Sequence, residues 1–297
     1  MKAAVLDVGG TAIKAALYID GRMRGFKEFE TEAKKGGFHV VRKMSDIINE
    51  MIADVNIEAI GVSTAGQVDF ETGINRHANE NIPNYTGMKI RDILKGQFNV
   101  PVVVENDVNC AALGEGYFGA AKDMSSYLCL TYGTGVGGAI VIDGNLFRGS
   151  MGSAGEVGSM ITHGDISKKG KRIEGSYEEA ASTSALVKKV QKVFPDISNG
   201  RDIFNRFCEN GMQEIVDEWV REVSYGLVTL IHIFNPGCII LGGGIMGQPY
   251  IINKLRKEIY DRIMPSFRNV EIRKANLGNM AGLYGAAYLS EKYLSIK

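Results

Sequence analysis

Apolar residues near the start of the chain form two short runs that are separated by glycine. Residues 3–6 make the first run, which leads to Asp7 and the turn Gly9-Gly10-Thr11. Residues 13–19 make the second run, which is rich in β-forming side chains and ends at Asp20-Gly21. This order of apolar runs and turn residues predicts a β-hairpin with an acidic residue at its mouth.

The glycine turn of this hairpin has the chemistry of an anion site. Glycine lets the backbone approach a ligand closely, and consecutive backbone N–H groups in such a turn form a concave anion site. Thr11 and Lys14 add a hydroxyl group and a cation beside it. An ordinary hairpin, in which Asp7 and the glycines serve only the turn, is the alternative interpretation.

The same pattern returns 123 residues later. Gly133-Thr134 and Asp143-Gly144 repeat the spacing of Gly10-Thr11 and Asp20-Gly21 without a gap. An apolar run again precedes the turn, and a predicted strand follows it. A duplicated unit of this kind indicates two related lobes, each offering a glycine turn to a ligand between them, for which polyphosphate is the natural candidate.

The second turn, GTGVGG at 133–138, also matches the dinucleotide fingerprint GxGxxG. That fingerprint requires a helix directly after the glycines, because the helix N-terminus holds the pyrophosphate. Here a strand and the turn Asp143-Gly144-Asn145 follow instead, which argues against a dinucleotide site. The P-loop sequence GxxxxGK[ST] is absent as well, which argues against a P-loop nucleotide site.

The region after the first hairpin combines regular elements with a polar loop. Residues 37–54 have the apolar spacing of a helix, residues 57–63 read as a buried strand, and residues 64–87 are rich in turn formers. The loop carries several neutral hydrogen-bonding side chains: Gln67, Asn79, Asn81, Asn84 and Tyr85. We interpret the loop as a lip that hydrogen-bonds a neutral polyol, with a plain surface loop as the alternative.

An acid and amide cluster stands between a predicted strand and a predicted helix. Residues 101–104 predict a short buried strand, and residues 109–115 predict a helix rich in small side chains. Glu105-Asn106-Asp107 lies between them. In α/β folds ligands bind at the carboxyl ends of strands, so Asn106 and Asp107 are candidate site residues. Asp and Asn are also preferred N-caps, so helix capping is the alternative role.

The C-terminal half reads mainly as structural elements. Apolar spacing predicts helices or helix segments at 204–207, 215–223, 227–234 and 281–294, a strand at 238–241, and a further helix from about Pro249. Gly242-Gly243-Gly244 connects that strand to that helix. We assign the aromatic residues of the helical segments to the core.

Composition and charge narrow the class of protein. The chain has 297 residues, of which 45% are hydrophobic and 23% charged, as expected for a globular protein of two domains. The formal net charge is zero, which argues against a nucleic-acid partner bound through a broad basic face. Asp7 interrupts the apolar start, and no apolar run approaches the ~20 residues that span a bilayer. We therefore expect a cytoplasmic protein without a signal peptide or a membrane partner.

The cysteines lack the spacing of a metal or redox site. They occur in apolar surroundings without a CxxC pair, so we expect buried free thiols rather than disulfides or metal ligands. They are Cys110, Cys129, Cys208 and Cys238.

Four motifs of the chain together resemble one family. DVGGTAIK at 7–14, ENDVNCAALGE at 105–115, GTGVGG at 133–138 and AGEVG at 154–158 resemble, in this order, the ROK family of sugar kinases. The resemblance implies an α/β protein with the actin-like ATPase (RNase H-like) fold and two lobes with a central cleft. It places approximate limits at 1–118 plus 281–297 for the N-terminal lobe and 119–280 for the C-terminal lobe.

The resemblance also implies roles for individual residues. It implies ATP and Mg²⁺ as cofactors, with Asp7 near the metal ion and contacting it through water. Asp107 matches the catalytic base, which also contacts the sugar. The other implied sugar contacts are Asn81, Asn106, Glu156 and Glu178. The implied nucleotide contacts are Asp7, Gly9, Gly10, Thr11 and Lys14 on the first turn, Gly133, Thr134 and Gly135 on the second, and Gly243 and Gly244 at the adenosine end.

The sequence departs from the family near the sugar site. Many members follow GExGH with a cysteine cluster that holds a structural zinc ion, whereas here Ser159 replaces the His and the segment 163–180 has no cysteine. We therefore expect no zinc site. Glu179 is an adjacent candidate for the role of Glu178. His163 is either a displaced sugar contact or an exposed loop residue. The nearby cations are expected to form a solvated loop: Lys168, Lys169, Lys171 and Arg172.

The zinc-less branch that the sequence resembles includes β-glucoside kinases. The segments GEVGSM, STSALV and IFNPGCIILGGGIM carry this part of the resemblance. It implies phosphorylation of the primary hydroxyl of a hexose unit, with a β-glucoside such as cellobiose ranked first, then glucose, then N-acetylmannosamine. It also suggests a homodimer. A non-catalytic sugar sensor is the alternative from another class, and a DNA-binding repressor is disfavoured because no helix-turn-helix precedes the first strand.

Overall fold

A computed structural model of the chain describes residues 1–163 and 175–295. It divides into two compact units. The first unit comprises Met1–Lys122, Arg148–Ala154 and Asn279–Lys297, and the second comprises Asp123–Phe147 and Gly155–Gly278. The short segment Arg148–Ala154 thus belongs to the first unit, although its neighbours in sequence on both sides belong to the second.

Strands and helices alternate along much of the described chain. The strands are β1 (Lys2–Val8), β2 (Ala12–Ile19), β3 (Arg22–Glu30), β4 (Ala59–Thr64), β5 (Gln67–Asp69), β6 (Ile74–His77), β7 (Val102–Asn106), β8 (Tyr127–Tyr132), β9 (Val136–Ile142), β10 (Asn145–Leu146), β11 (Cys238–Gly242) and β12 (Glu271–Lys274). The helices are α1 (Gly37–Met51), α2 (Ile90–Phe98), α3 (Asp107–Phe118), α4 (Tyr177–Ala181), α5 (Thr183–Gln191), α6 (Gly200–Asn205), α7 (Met212–Phe234), α8 (Pro249–Tyr260) and α9 (Ala281–Ser295).

The sheet of the first unit brings three strand ends to one edge. Its strand order is β3-β2-β1-β4-β7, with β1 antiparallel to β2 and parallel to β4, and β4 parallel to β7. In the register of the parallel strands Asp7 lies beside Ser63, and Ser63 lies beside Glu105. The carboxyl ends of β1, β4 and β7 therefore meet at the same edge, as the ligand-binding edge of an α/β sheet requires.

Apolar side chains on the helices of the first unit cover this sheet. Val40, Met44 and Ile48 of α1 follow helical spacing and belong to one buried cluster with Leu6 of β1. Helix α9 packs closely on β4, because a Cβ at Gly61 would lie 2.5 Å from the Ala286 carbonyl oxygen. The burial of these faces removes apolar surface from water and holds the strand ends in register.

The sheet of the second unit has the strand order β10-β9-β8-β11-β12. Strand β8 is antiparallel to β9 and parallel to β11, and β11 is parallel to β12. A three-stranded antiparallel part followed by two parallel strands is thus common to both sheets. The predicted duplication of the strand, glycine turn and strand unit is therefore present as two hairpins in equivalent places of two similar sheets.

Both predicted Asp-Gly turns are confirmed as tight hairpin turns. The φ angles are 47° at Asp20 and 83° at Gly21, and 50° at Asp143 and 73° at Gly144. Positive φ at both central residues is the geometry that suits the twist of a two-residue hairpin, and Asp-Gly adopts it readily.

The two predicted helical segments 215–223 and 227–234 are confirmed as parts of one helix, α7. Two other details of the sequence interpretation were wrong. Tyr85, which was assigned to the polar lip, is a core residue, because its large ring is buried and Thr64 supplies a partner for its hydroxyl group at 2.8 Å. Cys208 is exposed, whereas the other cysteines are buried as expected.

Two further expectations concern the membrane and the cationic loop. No helix within residues 1–163 and 175–295 has both the length and the apolar character needed to cross a bilayer. The predicted solvated loop with Lys168, Lys169, Lys171 and Arg172 lies outside the described residues.

Candidate active site

Asp107 stands at the point where strand β7 becomes helix α3. The N-cap of α3 is Asn106, whose side-chain oxygen accepts hydrogen bonds from the backbone N–H groups of Val108 and Asn109. Asp107 is therefore the first residue of the helix and is not needed as its cap. Its Oδ1 atom accepts the Val108 N–H and the Asn106 Nδ2–H, both at 2.9 Å.

The surroundings of Asp107 disfavour its charged form. The side chain keeps some solvent exposure, but burial raises the pKa of Asp107 from 3.8 to about 7, with a smaller contribution from the negative charge of Asp7. The hydrogen bonds from Val108 and Asn106 act in the opposite direction. A carboxylate whose pKa lies near neutrality has the proton affinity of a general base.

Both polar atoms of the Asn106 side-chain amide form hydrogen bonds. Its oxygen caps α3, and its Nδ2 atom donates to the Gly66 carbonyl at 2.9 Å and to Asp107. Asn106 thus joins the end of β7, the loop after β4 and the side chain of Asp107. This geometry fixes the carboxylate, which is what positioning of a base requires.

Asp7 lies at the end of β1 and is held from three sides. Its Oδ1 atom accepts the Ser63 hydroxyl at 2.6 Å, and its Oδ2 atom lies 3.4 Å from Lys14 Nζ. A Cβ at Gly282 of α9 would lie 2.6 Å from Asp7 Oδ1, so the helix packs directly on the carboxylate. The Asp7 side chain retains 16% exposure, which leaves part of it open to a ligand.

The first glycine turn is braced by the residue that follows β3. The Thr31 hydroxyl donates to the Gly9 carbonyl at 2.7 Å, and the Thr31 N–H donates to the Thr11 carbonyl at 2.9 Å. Gly10 is exposed, and a Cβ there would lie 3.9 Å from the Asn81 side chain. The first unit thus brings its predicted phosphate turn next to the predicted lip asparagine.

The first unit offers a carboxylate suited to Mg²⁺. Carboxylate oxygen is a donor that Mg²⁺ prefers, and sites of this kind usually combine one or two carboxylates with substrate phosphates and water. Asp7 fits this pattern. Among residues 1–163 and 175–295 no cluster of three or more His, Cys, Asp or Glu side chains is arranged as a complete metal cage.

The second glycine turn opens onto a cleft within the second unit. The cleft has a volume of about 860 Å³, which is in the range of small-molecule sites. Gly133, Thr134 and Gly244 line it, so three of the predicted nucleotide residues lie together. The other lining residues come mainly from α5, from α6 and from the two residues that precede α6: Tyr132, Thr183, Ser184, Val187, Lys188, Gln191, Ser198, Asn199, Gly200, Arg201, Asp202, Ile245 and Gln248.

The glycines in this cleft and beside it are needed for different structural reasons. Gly243 has φ +102°, and a Cβ there would collide with the Tyr132 carbonyl, so the fold itself requires glycine. A Cβ at Gly133 or Gly244 would meet no protein atom within 4 Å. Bare backbone that faces open space suits the close approach of a nucleotide, and the cleft therefore fits ATP.

The predicted sugar carboxylates lie around strand β9. Glu156 is exposed and precedes a short turn of 3-10 helix, Val157–Ser159. Glu178 points at the glycine turn, because a Cβ at Gly135 would lie 2.5 Å from its Oε2 atom. Oε2 of the neighbouring Glu179 accepts the Gly175 N–H at 2.9 Å. The geometry thus favours Glu178 over Glu179 as the carboxylate beside the turn.

His163 is half exposed and has two polar neighbours. Its Nε2 atom lies 3.2 Å from Glu222 Oε2, and its Nδ1 atom lies 3.2 Å from the Thr162 hydroxyl. Both ring nitrogens of His163 therefore have polar partners within the second unit.

Sequence reasoning missed several residues that shape the site. Glu105 was seen only as part of a motif, yet it is buried and paired with Arg148, which lies 43 residues further along the chain. Thr31 and the polar lining of the cleft were missed as well. No local pattern distinguishes these residues, and only their position in the fold gives them a role.

The chain is similar to known proteins over nearly its whole length. The sequence model of the ROK family matches residues 3–293. The chain is 32% identical over 299 residues to a beta-glucoside kinase of Listeria innocua, with 97% of each chain covered.

Two solved structures have the same fold. A ROK hexokinase from Thermus thermophilus has a TM-score of 0.86 and 33% identity, with 100% of both chains covered. A ROK family glucokinase from Streptomyces griseus, in complex with glucose and AMPPNP, has a TM-score of 0.86 and 28% identity, covering 98% of this chain and 100% of that chain. The predicted actin-like ATPase fold is thereby confirmed, and the chain belongs to the ROK family, with full-length similarity to its sugar kinases.

Proposed function

We propose that this protein is an ATP-dependent kinase that phosphorylates the primary hydroxyl group of a hexose unit. The observation that carries the proposal is the environment of Asp107. Its carboxylate is held by Asn106 and the start of α3, and its pKa is raised to about 7. A carboxylate that binds a proton near neutral pH is suited to accept the proton of a sugar hydroxyl as that hydroxyl attacks phosphorus.

The cleft of the second unit supports ATP as the phosphate donor. Its volume and its mixture of apolar and polar lining residues suit a nucleoside, with Val187 and Ile245 as apolar contacts for a base. Gly133 and Gly244 present backbone without side chains to the same space. We assign the adenosine end of ATP to this cleft and the phosphate end to the turn that begins at Gly133.

In the first unit Asp7 and Lys14 are assigned to the phosphate end. Mg²⁺, when bound, would neutralise the charge of the phosphate oxygens. Asp7 would hold the ion through water, and Ser63 orients the Asp7 carboxylate for this role. Lys14 lies on the strand opposite Asp7 and supplies a positive charge for phosphate.

The proposed substrate is a β-glucoside such as cellobiose. Full-length similarity to the beta-glucoside kinase of Listeria innocua supports this class. Ser159 is smaller than the His that many family members have at this position, which leaves room beside the sugar ring for an attached group. Free glucose is the second candidate, and similarity to the Streptomyces griseus glucokinase favours it.

A coupled assay of ATP consumption tests the proposal. We expect Mg²⁺-dependent turnover and a higher kcat/KM for cellobiose than for glucose or N-acetylmannosamine, since contacts to a second ring contribute binding energy at the reacting centre. Methyl β-glucoside and methyl α-glucoside form a matched pair that tests the anomeric preference. A clear preference for a monosaccharide would contradict the β-glucoside assignment and retain the kinase. Sugar binding without ATP turnover would contradict the kinase and favour a sensor.

A further inference from the structure

Two buried tyrosines of the second unit form a single hydrogen-bonded chain. The hydroxyl oxygens of Tyr132 and Tyr177 are 2.8 Å apart, and the Tyr177 hydroxyl lies 2.7 Å from the Val223 carbonyl oxygen. A carbonyl only accepts, so Tyr177 donates to Val223 and its oxygen accepts the proton of Tyr132. The rings meet edge to face with centroids 6.4 Å apart. Burial raises the pKa of both phenols, so both remain protonated at neutral pH.

Each tyrosine directly precedes a residue of the proposed site. Tyr132 ends β8 and is followed by Gly133, and Tyr177 begins α4 and is followed by Glu178. The Glu178 carboxylate lies so close to the glycine turn that a Cβ at Gly135 would be 2.5 Å from its Oε2 atom. The tyrosine pair and the contact of Glu178 with the turn therefore join the same two segments at adjacent positions.

Helix α7 anchors this arrangement. The Val223 carbonyl accepts the Tyr177 hydroxyl, and Gly226 lies so close to the Tyr177 ring that any Cβ there would collide with it. At the other end of α4, the Trp219 indole N–H donates to the carbonyls of Ala181 and Ser182 at 3.1 Å. Helix α4 has only five residues, which is too short to be stable alone, so its position depends on these anchors.

We propose that Tyr177 and Tyr132 are positioning residues that hold the Glu178 carboxylate at a fixed place against the turn that begins at Gly133. The inference rests on the proposed function, because it concerns the sugar carboxylate and the phosphate turn of that reaction. Binding of the sugar and orientation of the phosphate are thereby coupled through the interior of one unit. Neither tyrosine touches the reacting groups through its hydroxyl.

The test compares Tyr177→Phe, Tyr132→Phe and Tyr260→Phe. Tyr177→Phe removes the acceptor of Tyr132 and the anchor on Val223 at nearly constant volume, whereas Tyr132→Phe leaves the anchor in place. Tyr260→Phe is the matched control, because it also removes a tyrosine hydroxyl that donates to a backbone carbonyl, that of Val270 at 2.8 Å, away from the proposed site. Steady-state kcat and KM for sugar and for ATP are measured well below each melting temperature.

We expect Tyr177→Phe to lower kcat/KM for the sugar by about tenfold, since small misplacements of binding groups are costly. Tyr132→Phe should have a smaller effect in the same direction, and Tyr260→Phe should leave both parameters unchanged. In a double-mutant cycle Tyr177→Phe should add little to Glu178→Gln, because both act on the same contact.

The outcomes separate the inference from the function on which it rests. A wild-type protein without sugar turnover would overturn the proposed function and the inference with it. An active wild type whose Tyr177→Phe variant matches Tyr260→Phe in kcat and KM would overturn the inference alone. So would full additivity of Tyr177→Phe and Glu178→Gln. A lower melting temperature without a kinetic change would mark the pair as purely structural.

Discussion

Arg148 forms an ion pair with Glu105, the residue that directly precedes Asn106 and Asp107. Two guanidinium nitrogens reach Glu105 Oε2, with Nε at 2.8 Å and Nη2 at 2.7 Å. The other carboxylate oxygen accepts the Asn106 N–H and the Asn109 side-chain amide. The segment Arg148–Ala154 is thus attached to the strand end that carries the proposed base.

Burial makes this pair more consequential than a surface ion pair. The Glu105 side chain is 1% exposed and that of Arg148 is 27% exposed. The Arg148 guanidinium also lies over the Phe70 ring, 4.2 Å from its centroid. Removal of the arginine would leave a buried carboxylate without its positive partner, which is more costly than loss of an exposed contact.

We expect Arg148→Met to lower the free energy of unfolding by about 2 kcal/mol. Removal of one partner from a fully buried ion pair costs ~3–5 kcal/mol, and the loss here should be smaller because Arg148 is partly exposed. Urea unfolding measures this change. Lys27→Met is the matched control, since Lys27 pairs with Glu50 at an exposed site, and it should cost less than ~1 kcal/mol. Arg148→Met with Glu105→Gln should cost less than Arg148→Met alone, and an equal or larger loss would contradict the argument.

Asp107→Asn should leave the fold intact and lower kcat by at least ~10²-fold, as loss of a general base does. The change is nearly isosteric, and an Asn oxygen can still accept the Val108 N–H. Steady-state kinetics with ATP, Mg²⁺ and the preferred sugar measure the loss, and circular dichroism controls for folding. Near-wild-type turnover would remove Asp107 from the proposed role.

The raised pKa of Asp107 also predicts how stability depends on pH. Between pH 4 and 7 the folded protein keeps a proton on Asp107 that the unfolded chain has lost, so stability from this group falls as pH rises through that window. The slope is at most ~1.4 kcal/mol per pH unit. The Asp107→Asn variant has no such titration, so its free energy of unfolding minus that of the wild type should increase from pH 5 to pH 8. Urea unfolding with EDTA at both pH values measures it, and a constant difference would contradict the prediction.

Gly133→Ala should weaken ATP binding without weakening the fold. A Cβ at this position meets no protein atom within 4 Å, so the added methyl group occupies only space assigned to the nucleotide. We expect an increase in the ATP KM of about tenfold, equivalent to ~1.4 kcal/mol, with an unchanged melting temperature. Gly243→Ala is the contrasting variant, since it is strained by φ +102° and collides with Tyr132, and it should destabilise the protein. An unchanged ATP KM in Gly133→Ala would argue against a nucleotide at this turn.

The purified protein should contain no structural zinc. Zinc sites of this family type use thiolates at short spacing, and the segment 163–180 contains no cysteine. Elemental analysis of the protein after dialysis is the measurement. One tightly bound zinc ion per chain would contradict the prediction and would direct attention to nitrogen and oxygen ligands.

Features that depend only on neighbouring residues could be predicted from the sequence. Asp20-Gly21 and Asp143-Gly144 specify tight turns because of their own backbone preferences, and the flanking apolar runs specify strands. The place of Asp107 after a buried strand followed from the same local pattern. The four family motifs were enough to indicate the fold. Each of them combines a local backbone conformation with side chains suited to one part of the ligand.

Contacts between residues that are distant in sequence could be identified only in the folded chain. No local pattern indicates that Arg148 pairs with Glu105, that Thr31 braces the turn at Gly9, or that Tyr132 meets Tyr177. Tyr85, which was predicted to lie in the polar lip, is likewise a core residue only because of how the chain packs. The pKa of Asp107 depends in the same way on how the fold surrounds its carboxylate. The physical reason is that burial, electrostatic interaction and side-chain contact depend on distances in space. For residues that are far apart in the sequence, these distances are set only when the whole chain has packed.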